Sequence, residues 1–131
     1  MNLEEWYNSL NQPSWAPEVT TIGRVWTLLY PIIFGVNIYI TTRYFSGVIP
    51  FKVALPFWIN LALNLAFTPI QIFTRSNLLM SIIIIGILVT LVWAIVAIWP
   101  HAKWVSLGFA PYAIWVSVAT ALQVSLYWLN R

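Results

Sequence analysis

Four long stretches without a charged side chain constrain this chain more than any other feature. The nine charged residues leave intervals of 18, 22, 27 and 27 residues free of charge, at 25–42, 53–74, 76–102 and 104–130. A helix needs roughly 20 residues to cross about 30 Å of hydrocarbon. Backbone amides in lipid must be paired within the protein, and these stretches lack the alternating pattern of barrel strands. The sequence therefore predicts an all-α, polytopic transmembrane bundle of four helices.

The composition supports the same class and excludes several others. Hydrophobic residues make up 61% of the chain and charged residues only 7%, whereas soluble proteins carry about 25% charged residues. The absence of cysteine excludes disulfides, thiolate metal sites and a cysteine nucleophile. Six scattered Lys and Arg residues form no basic stripe, so no nucleic-acid partner is expected. We expect an integral, multi-pass membrane protein with the lipid bilayer as its partner, in the cell membrane if the source is bacterial.

The chain reads as one transmembrane domain, residues 1–131, with no separate soluble domain. Residues 1–21 are polar and rich in turn-forming residues, which predicts a loop at the membrane interface. Three Lys or Arg residues fall on each side of the membrane, so the loop charges leave the orientation open. The predicted spans lie near 22–42, 51–73, 77–99 and 104–129.

The tryptophan of the N-terminal loop, Trp15, lies between Pro13 and Pro17. Amphipathic rings favour the headgroup layer, so Trp15 can serve as an interface anchor. It can equally fold back as a lid over a cavity. The residues leave both interpretations open.

Span two carries Asn60, Asn64, Phe67 and Gln71 at spacings of 4, 3 and 4 residues. This spacing places all four on one helical face, which we expect to point inward. Carboxamides in hydrocarbon need partners. Two roles follow: hydrogen bonds between helices, worth about 0.6–2 kcal/mol each, and contact with a ligand. The two roles are compatible.

Aromatic side chains mark a face on two further spans. Trp26 and Tyr30 lie one turn apart in span one, and Tyr112, Trp115 and Ala119 follow at spacings of 3 and 4 in span four. A pocket of flat rings and a few amides suits a large planar ligand, at about 0.5–1.5 kcal/mol per aromatic contact. The span cores hold no ionisable residue, which argues against proton coupling and against a histidine ligand for haem iron.

Four blocks of sequence resemble the TspO/MBR family, whose members include the tryptophan-rich sensory proteins and the translocator protein, or peripheral benzodiazepine receptor. They occur in order and cover nearly the whole chain. The blocks are WYNSLNQPSWAP at 6–17, IGRVWTLLYP at 22–31, LALNLAFTP at 61–69 and PYAIWVSVATAL at 111–122.

The resemblance implies a helical membrane protein, usually a homodimer, that binds porphyrins such as protoporphyrin and haem as ligands rather than as required cofactors. Relatives also bind sterols and benzodiazepine-type compounds. The family's pocket tryptophans fall on Trp26 and Trp115, its loop tryptophan on Trp15, and its amide and aromatic positions on the inward face of span two. No catalytic or metal-ligating residue is predicted. The predicted ligand-binding residues are Trp15, Trp26, Tyr30, Asn60, Asn64, Phe67, Tyr112, Trp115 and Ala119.

The chain departs from the family pattern at its start. Family members begin with a further transmembrane helix, whereas Met1 stands five residues before Trp6. We therefore expect the five-helix TspO fold without its first helix.

The expected function is a membrane receptor, sensor or transporter that binds porphyrins and similar planar, apolar ligands. One alternative is a light-dependent porphyrin-degrading enzyme, as reported for some family members, although the sequence offers no conventional acid, base or nucleophile. Another alternative is a small transporter of other hydrophobic compounds.

Overall fold

A computed structural model describes residues 2–131; Met1, the first residue of the predicted N-terminal loop, lies outside the described residues. Within this range the chain forms helices and no β-strand. Four of the helices are long and apolar enough to cross a membrane, which confirms the predicted all-α, multi-pass bundle. The helices are α1 Leu3–Ser9, α2 Val19–Phe45, α3 Phe51–Thr74, α4 Asn77–Ile98, α5 Lys103–Gly108 and α6 Ala110–Asn130.

Short connections determine where the long helices stop. After α2, Gly47 adopts a φ of 76°, a conformation that is easy only for glycine, and Pro50 then directly precedes α3. After α3, Arg75 adopts a left-handed conformation with a φ of 45°. The Ser76 side chain then caps α4 by accepting a hydrogen bond from the Leu79 amide at 3.2 Å. Both connections are tight reversals, so neighbouring spans run antiparallel.

The N-terminal segment differs from the predicted loop because residues 3–9 form helix α1. Asn2 and Glu5 form a reciprocal capping box, with the Glu5 amide donating to Asn2 Oδ1 at 2.8 Å. A helix of seven residues is not stable alone, and α1 gains its stability by burying Tyr7 against α6. The polar composition concealed this helix. Helix α2 likewise begins at Val19, three residues before the predicted start at 22.

The last predicted span, 104–129, is divided in the structure into α5 and α6. The division falls at Phe109, and the Ser106 hydroxyl fastens α5 to α4 by donating to the Ile95 carbonyl at 2.9 Å. Pro111 stands in the first turn of α6, where its missing N–H removes no helical hydrogen bond. Hydrophobicity alone predicted one continuous span here, although Gly108 and Pro111, which flank Phe109, are residues that commonly mark a helix boundary.

Helix α4 forms the centre of the bundle, where it packs along α3 and α6. Its Ile84, Ile87 and Leu91 side chains are fully buried. Helix α2 is joined to α3 near their connecting loop, where Trp58 Nε1 donates to Thr41 Oγ1 at 3.0 Å. Towards the other end of the bundle, a cavity lies between α2 and its neighbours. We call that end, which holds α1 and the last turn of α6, the cavity end.

Candidate ligand-binding cavity

A cavity of about 400 Å³ lies inside the cavity end of the bundle, with walls from α1, α2, α3, α4 and α6. Small-molecule sites typically have volumes of about 300–1,000 Å³ and mostly apolar walls with a few polar groups. This cavity has both properties. Its lining residues include no Asp, Glu, Lys, Arg or His among the part of the chain that the structure describes.

Aromatic rings form two sides of the cavity. On α2, Trp26 and Tyr30 stack on each other with ring centroids 5.5 Å apart and an interplanar angle of 29°. Phe67 lines the cavity from α3. These rings are half-buried, so each has surface available to a ligand. The arrangement can hold a flat apolar molecule by stacking.

Three amide side chains supply most of the polarity of the lining: Asn64 and Gln71 from α3 and Gln123 from α6. Asn64 Nδ2 donates to the Tyr112 hydroxyl at 2.6 Å and to Asn60 Oδ1 at 3.2 Å. The Asn64 side chain donates through Nδ2 in these contacts, and no hydrogen bond within residues 2–131 reaches its Oδ1. It is therefore a free acceptor at the cavity wall.

A hydrogen-bond network beneath the cavity holds Asn64 in place. Tyr112 donates its hydroxyl hydrogen to Asn60 Oδ1 at 2.9 Å. Asn60 Nδ2 in turn donates to the Ile87 carbonyl at 2.9 Å and to Thr90 Oγ1 at 3.1 Å. The network thus links α3, α4 and α6 through buried side chains, as expected for amides in hydrocarbon. Asn60 and Tyr112 support the site from below and do not line it.

Helix α1 covers the outer side of the cavity with Leu3, Trp6 and Tyr7. The Tyr7 hydroxyl donates to the Pro17 carbonyl at 3.0 Å, and burial raises the pKa of that hydroxyl. The Tyr7 ring belongs to a small apolar cluster on α6. Sequence reasoning missed these three residues because it expected a loop. The signal that could have revealed the helix is the Asn2–Glu5 capping box.

The cavity opens sideways between α2 and α3. Gly23 and Thr27 on α2 and Thr68 on α3 line it, and all three are exposed on the outside of the bundle. Thr27 Oγ1 is already occupied as a donor to the Gly23 carbonyl at 2.8 Å. The opening lets a ligand larger than the enclosed volume protrude from the bundle.

The nine predicted ligand-binding residues fall into three groups in the structure. Five of them line the cavity, namely Trp26, Tyr30, Asn64, Phe67 and Ala119. Asn60 and Tyr112 lie beneath it, as described above.

The third group comprises the two remaining tryptophans, which do not line the cavity. Trp15 is 50% exposed in the loop between α1 and α2, and α1 occupies the covering position considered for it. Trp115 lies one turn from Ala119 and packs against the core. Its Nε1 is buried and has no acceptor within the described residues.

Comparison with known proteins agrees with the resemblance found in the sequence. The chain matches the profile of the TspO/MBR family over residues 1–129. It is 44% identical over 80 residues to the membrane protein YtaB of Bacillus subtilis (strain 168), which covers 58% of this chain and 48% of the relative. It is 34% identical over 76 residues to the tryptophan-rich protein TspO of Bacillus cereus, with the same coverage of 58% and 48%. The chain spans about half the length of the curated relatives that it matches.

Proposed function

Because this chain belongs to the TspO/MBR family, we propose that it is a membrane receptor, sensor or transporter that binds porphyrins and similar planar, apolar ligands in the cavity. The family match confirms the resemblance drawn from the four sequence blocks. Four apolar helices of membrane length and the family together identify an integral, multi-pass membrane protein. The class of ligand and its binding in the cavity are what we propose.

The observation that carries the proposal is the stacked Trp26–Tyr30 pair, which lines the cavity together with Phe67 of α3. Stacking is worth about 0.5–1.5 kcal/mol per aromatic contact and favours a flat ligand over a bulky one. A porphyrin is flat, apolar on both faces and large enough to contact several rings at once. The side opening between α2 and α3 accommodates its outer edge.

Two unpaired polar atoms support the same class of ligand. Asn64 lines the cavity, and its Oδ1 can accept a hydrogen bond from a ligand N–H. Trp115 does not line the cavity, so its unpaired Nε1, one turn from Ala119, can donate only to a ligand carboxylate or carbonyl that passes beyond the lining. A free-base porphyrin with acidic side chains carries both kinds of group. Neither atom requires a charged partner in the protein.

The chemistry of the lining also predicts how the affinities for metal-free and iron porphyrins compare. No histidine lines the cavity within residues 2–131, so haem iron would gain no imidazole ligand there. Binding by shape and stacking predicts that protoporphyrin and haem bind with dissociation constants within about tenfold of each other, a difference of 1.4 kcal/mol. A much tighter complex with haem would indicate a different site.

The test is a protoporphyrin titration of the full chain in detergent or nanodiscs. Ala119→Phe fills the cavity from α6, and we expect it to weaken binding by about tenfold or more, through steric exclusion. Ala121→Phe is the matched control, because Ala121 is exposed on the outside of the same helix. Helical content and unfolding temperature are checked for both variants. Equal affinity in the two variants would overturn the proposed site.

Light-dependent porphyrin degradation is a second candidate, favoured by the stacked, electron-rich rings of Trp26 and Tyr30 at the cavity wall. The experiment follows porphyrin absorbance under illumination in air. If the activity exists, Trp26→Phe slows the loss of absorbance while binding persists, with Trp128→Phe on the outer surface as the control. Absorbance that stays constant with the wild-type protein would exclude this function.

A further inference from the structure

The end of the bundle opposite the cavity carries all of the protein's excess positive charge. The three acidic residues Glu4, Glu5 and Glu18 lie at the cavity end, where three arginines balance them. Those arginines are Arg24, Arg75 and Arg131, so the side chains of the cavity end carry no net charge. The opposite end holds Arg43, Lys52 and Lys103 and no carboxylate, so its side chains sum to +3.

Distance prevents the carboxylates from neutralising these cations. Glu18 precedes α2 and Arg43 lies in its last turn, 25 residues later. At about 1.5 Å per residue the two are roughly 38 Å apart. The Debye length at physiological ionic strength is about 8 Å, so the charges are screened from each other. The cations at this end therefore have no neutralising carboxylate nearby among residues 2–131, and an external anion can interact with them.

Two of the cations at this end each lie over an aromatic ring. Arg43 Cζ lies 5.2 Å from the ring centre of Tyr39, and Lys103 Nζ lies 5.3 Å from that of Trp99. Tyr39 in turn contacts Trp104 edge to face, with centroids 4.8 Å apart. Because Trp104 directly follows Lys103 in the chain, this contact brings the cation–ring pair of α2 next to the residue that carries the cation of α5. We call these five residues the cationic surface.

The rings of this surface also fix its depth in the bilayer. Trp99 and Trp104 are 45% and 54% exposed; Trp99 directly follows the apolar α4, and Trp104 is the second residue of α5. Exposed tryptophans at span ends lie at the level of the lipid headgroups. Lys52 stands at the start of α3 at the same end of the bundle and adds a third cation at this level.

We propose that the cationic surface binds the phosphate of an anionic phospholipid headgroup in the adjacent leaflet. A cation resting on a ring keeps its outward N–H groups free to donate to phosphate oxygens. An anionic lipid such as phosphatidylglycerol supplies the missing negative charge, whereas phosphatidylcholine brings its own cation and gives no net gain. The proposal is independent of what the cavity binds.

The experiment uses the full chain in phosphatidylcholine membranes with a trace of spin-labelled lipid. We measure the association constant of labelled phosphatidylglycerol relative to labelled phosphatidylcholine from the motionally restricted fraction of the spectrum. The wild-type protein should prefer phosphatidylglycerol by about fivefold or more, and added salt should reduce this preference. A ratio close to one for the wild type would overturn the proposal.

Three variants locate the effect. Arg43→Gln with Lys103→Gln should bring the ratio close to one. The matched control, Arg24→Gln with Arg131→Gln, removes the same charge from the cavity end and should keep the wild-type ratio. Arg43→Lys with Lys103→Arg keeps both charges and should also keep it, which separates loss of charge from loss of fold. A preference that survives the first variant, or falls equally in the control, would overturn the assignment to this surface.

Discussion

Asn11 and Asn130 are 119 positions apart in the sequence and exchange two hydrogen bonds. The Asn11 backbone amide donates to Asn130 Oδ1 at 2.9 Å, and Asn130 Nδ2 donates to the Asn11 carbonyl at 2.8 Å. The pair fastens the segment after α1 to the last turn of α6. Because α1 covers the cavity, this pair holds the cover against the rest of the bundle.

Replacing Asn130 with alanine should loosen the cover without unfolding the spans. Both bonds are exposed, so each contributes about 0.5–1.5 kcal/mol at most. We expect faster hydrogen exchange of the Asn11 amide and unchanged exchange in α3 and α4. Asn130→Asp is the control. It retains an oxygen that can accept from the Asn11 amide and loses only the Nδ2 donor, so the Asn11 amide should stay protected. Equal protection of the Asn11 amide in wild type and Asn130→Ala would show that the pair does not restrain this segment.

Tyr7→Phe should weaken the docking of α1 against α6, because it removes a single hydroxyl group. The variant keeps the ring in its apolar cluster and removes the donor to the Pro17 carbonyl, at a cost of about 0.5–1.5 kcal/mol. The chain contains no cysteine, so Asn8→Cys, at an exposed position of α1, offers a single labelling site. A spin label there should become more mobile in the Tyr7→Phe background.

The pH dependence of the same label tests the role of the Tyr7 hydroxyl. Burial raises the pKa of Tyr7 above its usual value of 10.0, so the docked state holds the proton more tightly than the undocked state. Docking therefore weakens as the pH rises above about 10 and is unaffected below it. The Tyr7→Phe variant should lose this particular dependence. Identical curves for both proteins would contradict the assignment.

The Asn60–Tyr112 contact should behave as a coupled pair. Asn60→Leu leaves the buried Tyr112 hydroxyl without its acceptor, which costs about 1–3 kcal/mol. Tyr112→Phe in turn removes a partner of Asn60 and Asn64. The double variant should be less destabilised than the sum of the single variants, measured as the free energy of unfolding in mixed micelles. Simple additivity would mean that the hydrogen bond contributes nothing measurable.

The four spans could be predicted from the sequence because charge is excluded from hydrocarbon over a fixed length. The spans predicted near 51–73 and 77–99 begin where α3 and α4 begin, and each differs from its helix by one residue at the C-terminal end. Tertiary contacts decide the remainder. Helix α1 depends on burying Tyr7 against α6, and the break at Phe109 interrupts a stretch that is hydrophobic on both sides of it. Neither effect has a local periodic signal.

The part of the cavity lined by amide and aromatic side chains could be predicted, because these side chains recur at helical spacing within the spans. The Asn60–Gln71 face of span two points inward as expected, and Trp26 and Tyr30 lie together. The apolar wall from α4, including Ile84 and Ile87, could not be singled out because every face of that span is hydrophobic. Helical spacing also cannot tell residues that line a cavity from those one layer beneath it.

Trp115 offers a direct spectroscopic test of ligand contact. Its Nε1 is buried and has no acceptor in the described chain, so a ligand that reaches it supplies a hydrogen bond that the free protein lacks. With ¹⁵N-labelled tryptophan, the indole N–H signal of Trp115 should move downfield on addition of protoporphyrin. The signal is assigned by its disappearance in Trp115→Phe. Trp128 is 61% exposed beneath the Arg131 guanidinium and serves as the internal control; its indole N–H signal should not shift. A Trp26 signal that shifts while Trp115 does not would restrict the ligand to the cavity itself and remove Trp115 from the binding residues.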